Sequence, residues 1–83
     1  MKNLKTYSLQ EKILFQHLGM NIKTERLNQN RTLDHISRLT GIHTSDLRKI
    51  ESGEIDIPIV IAFAIARSLS LPIRKLLDFD GEG

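Results

Sequence analysis

Residues 31 to 53, RTLDHISRLTGIHTSDLRKIESG, restrict what this chain can become more than any other stretch. Apolar side chains stand at Leu33, Ile36, Leu39, Ile42, Leu47 and Ile50. Their steps are three, three, three, five and three, helical on both sides and broken only around Thr40-Gly41-Ile42. Gly41 lies where a helix needs a left-handed stop, a conformation glycine reaches without steric cost. The spacing predicts two short helices joined by a tight turn, one over residues 33 to 39 and one over residues 44 to 51. The second helix presents His43, Thr44, Ser45, Arg48 and Lys49 outward. Donors, acceptors and cations on one face suit the reading of nucleic acid.

Helical signals continue on both flanks. Residues 1 to 7 read as a loose tail. Ser8-Leu9-Gln10-Glu11 fits a capping box, in which the serine oxygen and the glutamate satisfy free backbone amides. Leu9, Ile13, Leu14, Leu18 and Ile22 then follow helical spacing. The pattern predicts either one long helix to about Asn28 or two helices meeting near Gly19. Thr32 is a good N-cap for the next helix, and Asp34 in its first turn suits the helix dipole. Glu54-Ile55-Asp56-Ile57 reads as a loop. Pro58 suits a first helical turn, predicting a helix to about Ser68. Pro72 opens a last short helix ending near Leu77, before a polar tail, DFDGEG, that should fray. No strand, repeat or linker stands out, so the 83 residues form a single all-α domain spanning 1–83.

Composition narrows the chemistry. A chain this short has no room for a large catalytic cleft. With no cysteine, disulfides and thiolate zinc sites are excluded, which fits a reducing compartment. His17, His35 and His43 lie eighteen and eight residues apart, without metal-ligand spacing. Neither a nucleophile triad nor a phosphate-binding glycine motif is present. The expectation is a non-enzyme with no cofactor and no metal. The N-terminus lacks the pattern of a secretory signal. The longest apolar run, residues 57 to 66, is too short to span a bilayer. Cytoplasmic location and no membrane partner are therefore expected. Net charge is only +2, but between positions 23 and 49 six cations face three acids, so the positive excess coincides with the helix pair. Later come Glu51, Glu54, Asp56, Asp78, Asp80 and Glu82.

The ordered pieces Leu18-Gly19-Met20-Asn21-Ile22-Lys23, Thr32-Leu33-Asp34-His35-Ile36-Ser37, Thr40-Gly41-Ile42 and Leu47-Arg48-Lys49-Ile50-Glu51-Ser52-Gly53 carry a resemblance. Ile65-Ala66-Arg67-Ser68-Leu69-Ser70-Leu71 and the closing Leu76-Leu77 extend it. Over residues 18 to 77 the chain resembles the helix-turn-helix domain of Cro and the phage repressors, the xenobiotic-response-element-like regulators. The resemblance implies a five-helix, lambda-repressor-like DNA-binding domain with an extra or extended N-terminal helix and its motif at residues 33 to 51. It implies a third helix in the major groove of double-stranded DNA, with Thr44, Ser45 and Arg48 at base-reading positions. Arg48 would fork onto guanine. Arg31, Thr32, Leu33, Arg38, His43 and Lys49 would contact the DNA backbone, with amides at the N-terminus of the second helix aimed at a phosphate. Arg26 and Glu51 stand where relatives often carry a structural ion pair, and Ser37 is small where the motif helices should cross. Five positions depart from the family pattern. His43 replaces a serine or threonine cap, so the third helix should start at Thr44. Asp46 places an acid in its first turn. Glu54 and Asp56 occupy a loop where relatives often place cations near the DNA. Glu25 replaces an apolar residue. These departures predict modest affinity per subunit.

Residues 58 to 66, PIVIAFAIA, have no polar face until Arg67. A surface helix of a small domain should have one. Such a helix must be covered on two sides: by the core, and by the N-terminal helix or a second subunit. The resemblance implies homodimers, and Val60, Ile61, Ala64, Ile73, Leu76, Leu77 and Phe79 form the expected dimer or docking surface. The leading expectation is a sequence-specific DNA-binding transcriptional regulator, a repressor acting as a homodimer. The alternative is a protein-interaction module, an antitoxin or adaptor that docks another protein through the helix at residues 58 to 68.

Overall fold

A computed structural model describes residues 1–79, and the acids at Asp80 and Glu82, with the end of the expected frayed tail, lie outside the described residues. The described residues form five helices: α1 (Leu9–Asn28), α2 (Leu33–Thr40), α3 (Thr44–Glu51), α4 (Ile59–Ser68) and α5 (Ile73–Leu76). The N-terminal helix is a single one that runs through Gly19. Ser8 Oγ accepts from the Glu11 amide and the Glu11 carboxylate from the Ser8 amide, closing the capping box at its start. The Thr32 hydroxyl caps α2 by accepting from the His35 amide at 3.0 Å. Gly41 ends α2 at a φ of 77°. His43 offers α3 no side-chain cap, and the helix starts at Thr44.

One core ties the helices together. Ile22, Ile36, Leu47, Ile50, Ile65, Leu69 and Leu76 are fully enclosed. α3 packs between α1 and α2, α4 lies against α2 and α5, and α5 returns to α1. Ile55 and Ile57, in the segment between α3 and α4, are core residues as well. Two amide side chains fasten the far ends. Asn21 Nδ2 donates to the carbonyls of Leu76 and Asp78, and Gln29 Nε2 donates to that of Leu69.

Several expectations need correction. Residues 1 to 7 are not loose. Asn3 forms an antiparallel bridge with Ile55, Leu4 is buried, and Tyr7 meets the Phe15 ring edge-on at 5.1 Å. Asp56 is the clasp: its carboxylate accepts from the Lys2 amide at 2.7 Å and from the Tyr7 hydroxyl at 2.7 Å. Its own amide donates to the Lys2 carbonyl at 2.8 Å. The front of α1 faces outward, with Leu9, Ile13 and Leu14 exposed although their spacing matches the buried Leu18 and Ile22. Leu39 is likewise exposed. The N-terminal helix does not cover α4, whose Ile59, Val60 and Phe63 stay exposed, because α1 is committed to α3 and α5. Leu76 is wholly buried in its own core and cannot belong to a dimer surface.

The clasp makes the arm acid-sensitive. Backbone donation from Lys2, assisted by the Tyr7 hydroxyl, holds the Asp56 carboxyl below its ordinary value against the opposing effect of burial. The same bond pushes the Tyr7 phenol up. A depressed carboxyl contributes stability above its unfolded value, about 3.9, and loses it as pH falls through the folded one. The raised phenol contributes below its unfolded value and loses that as pH climbs through the folded one. The arm should therefore stay docked at neutral pH and detach below about pH 4. The Tyr7–Phe15 ring contact, followed by NMR through an acid titration, should vanish before the global melt. A wild-type contact as acid-resistant as that of Asp56→Asn rules out the clasp.

Candidate nucleic-acid interface

The turn between α2 and α3 is built locally. Thr40 Oγ1 donates to the Ile36 carbonyl at 2.8 Å and accepts from the Ile42 amide at 3.2 Å. With Gly41 left-handed between them, the chain reverses without disturbing the buried Ile42. Ile36, Leu47 and Ile50, all buried, hold α2 and α3 together from inside, and Ser37 is half-buried.

The same anchoring fixes what faces out. Leu47 and Ile50 point inward, so Ser45, Arg48 and Lys49 are exposed, Thr44 is half-buried, and His43 is exposed just before the helix. Arg48 and Lys49 form no ion pair with any described acid. Asp46, half-buried, occupies the first turn of α3. Arg48 is held at its root and free at its tip. That arrangement lets a guanidinium fork reach a planar acceptor pair.

The start of α2 forms a second cationic group. Arg31, Thr32, His35 and Arg38 line a shallow concavity with Gln29 and Asn30. Arg31 Nε donates to Gln29 Oε1 at 3.2 Å, and its Nη1 lies against His35 Nε2. Arg38 and the capping Thr32 are exposed, and Leu33 is half-buried. No acid lines this concavity among the described residues. Amide dipoles and two guanidiniums together favour an anion.

Arg26 connects the two groups. Its Nε and Nη2 donate to the two Glu51 carboxylate oxygens at 2.7 and 3.0 Å, and its Nη1 donates to the Arg31 carbonyl at 2.8 Å. One buried guanidinium thus fixes both the end of α3 and the entry to α2. The bond to Glu51 raises the already high Arg26 pKa, outweighing the opposing effect of burial.

The sequence pattern missed the Asp56 clasp. Asp56 was an expected repellent of DNA, yet both its carboxylate oxygens are taken by the arm. Its partners lie 54 and 49 residues away, beyond any periodicity. No group of three or more candidate ligands able to hold a metal ion occurs among the described residues. No described helix is long and apolar enough to cross a membrane.

No protein-family model and no curated protein matches the sequence. Solved structures do match the fold. The restriction-modification controller protein C.AhdI from Aeromonas hydrophila superposes with a TM-score of 0.72 at 19% identity, over 75% of this chain and 94% of that one. The clp gene regulator ClgR from C. glutamicum gives 0.75 at 17% identity, over 77% and 83%. An HTH_3 family transcriptional regulator from Vibrio cholerae gives 0.76 at 26% identity, over 83% of this chain but only 39% of its own length. The described residues have the all-helical helix-turn-helix fold of these structures.

Proposed function

We propose that this protein is a sequence-specific DNA-binding transcriptional regulator, a repressor that acts in the cytoplasm and is not an enzyme. The observation that carries this reading is the outer face of α3: Ser45 and Arg48 exposed, Thr44 beside them, on a helix anchored by Leu47 and Ile50. In the major groove, each base pair shows a distinct donor and acceptor pattern. Arg48 would take guanine O6 and N7, and Thr44 and Ser45 would meet base edges or thymine methyls. Arg31, Thr32, Leu33, Arg38, His43 and Lys49 would hold phosphates and fix register.

Selection from random duplex DNA should enrich one motif. Arg48→Ala should then weaken binding to it by about 1–3 kcal/mol while leaving non-specific binding nearly unchanged. Lys49→Ala should weaken all sequences alike. Equal loss on every duplex for Arg48→Ala would remove Arg48 from base reading.

A homodimer fits the exposed apolar face of α4. Ile59, Val60 and Phe63 stand in solvent, and Phe63 shares an open groove with Ile73 at the start of α5. Ile61, Ala64 and Phe79 are half-buried, and Leu77 is exposed. Two copies would place their α3 helices on half-sites about 34 Å apart. The same face favours a second reading, an antitoxin or adaptor that docks a protein partner. Size-exclusion chromatography with a low-salt gel shift separates the two. A dimer that shifts duplex DNA supports the regulator, and a stable monomer that shifts none supports the docking module.

A further inference from the structure

We infer that the N-terminal arm, residues 1 to 7, is a second phosphate-contacting element, joined to the end of α3 through the Asp56 clasp. The inference rests on the proposed DNA reading and adds residues that the helix-turn-helix itself does not contain. α3 has eight residues and is therefore about 12 Å long, close to the roughly 12 Å width of the major groove. With Thr44 and Ser45 at base edges, the segment after Glu51 stands at a groove wall, where the phosphates are. That segment carries Glu54 and Asp56, the wrong charge for the wall.

The arm reverses this. It crosses the segment through the Asn3–Ile55 bridge and the paired main-chain and side-chain bonds of Lys2 and Asp56. Both Asp56 oxygens are consumed inside the protein, one by the Lys2 amide and one by the Tyr7 hydroxyl. Glu54 accepts from the Ser52 hydroxyl. Lys2 and Lys5 hydrogen-bond here only through their backbones, Lys5 by its amide donating to Asn3 Oδ1, while the Lys2 ammonium also acts on the Asp56 carboxylate through space. Their side chains are exposed, and neither ammonium forms an ion pair among the described residues. The fold therefore ties the Asp56 carboxylate to the arm and leaves two exposed ammonium groups, neither in a contact ion pair among the described residues, at the place where a polyanion would pass. Each phosphate neutralised releases condensed counterions and steepens the dependence of affinity on salt.

Because Lys2 and Lys5 hydrogen-bond only through backbone atoms, their side chains can be changed without breaking a hydrogen bond of the clasp. The test measures affinity of the full chain for a fluorescent mixed-sequence duplex across a salt series. The Lys2→Gln/Lys5→Gln double variant should keep the wild-type melting temperature, and its log–log salt slope should be shallower by about 2. Asp56→Ala, which frees the arm but keeps both lysines, should also flatten the slope. Wild-type binding with an unchanged slope in the double variant overturns the arm contact and leaves the DNA reading standing. Failure of the wild-type chain to bind any duplex at low salt overturns both.

Discussion

Arg26→Ala is expected to destabilise the domain by about 3–5 kcal/mol. The guanidinium makes three hydrogen bonds, two to Glu51 and one to the Arg31 carbonyl. The side chains of Arg26 and Glu51 retain only 11% and 7% of their surface exposure. Truncation would leave the Glu51 carboxylate enclosed with its countercharge gone, and it would strip the Arg31 carbonyl of a donor. An enclosed, unpaired charge is the expensive outcome, whereas a buried pair as a whole is worth little relative to apolar residues of the same size. The singles and the double should therefore differ in a specific way. Arg26→Met and Glu51→Leu should each lose several kcal/mol, and the double should be more stable than the sum of the two losses predicts. Domains of this kind have about 5–15 kcal/mol in total, so the single variants should lie near the unfolding threshold at physiological temperature. Urea titration followed by circular dichroism reads the effect. Strict additivity of the two single losses would show that the pair does not act as a unit.

How much of this architecture is legible in the chain depends on the range of each signal. Local chemistry transfers well. Thr32, Gly41, Pro58 and Pro72 mark helix starts and stops because caps and turns are settled by a few neighbouring residues. The helices they bound run at Leu33–Thr40, Thr44–Glu51, Ile59–Ser68 and Ile73–Leu76. Helical periodicity shows which residues share a face, and it is silent on whether anything covers that face. Leu9, Ile13 and Leu14 share a stripe with Leu18 and Ile22, yet only the latter two are buried in the core. The same blindness hid the open face of α4 and the burial of Leu76. The arm was invisible for a different reason: its bonds use the backbone of Lys2 and a carboxylate fifty-four positions away, and neither leaves a local pattern. The outer face of α3 was legible because two apolar anchors three residues apart dictate which side of a short helix is left for solvent.

Gly19→Ala is the second substitution with a large expected effect, and its sign runs against helix propensity. Gly19 lies mid-helix in α1, where alanine would stabilise an isolated helix by about 1 kcal/mol. Here a Cβ would stand 2.1 Å from the Ile50 carbonyl oxygen and 2.9 Å from that of Glu51. Both obstacles are backbone, so no side-chain rotation relieves them. α1 and the end of α3 would have to separate by about 1 Å or more to restore an ordinary contact. That shift pulls at the Arg26–Glu51 pair and at the crossing of Gly53 over Gln16, where a left-handed glycine already lies in close contact with α1. Overpacking of this kind costs about 3 kcal/mol. In a domain this small the melting temperature should fall by roughly 15 °C. Gly41→Ala supplies the internal comparison. Its added Cβ would meet nothing within 4 Å, so its loss is confined to the left-handed backbone, about 1–2 kcal/mol. Calorimetry on the two variants separates steric from conformational glycine. A Gly19→Ala melt at or above that of the wild type would show that α1 and α3 do not approach as closely as this.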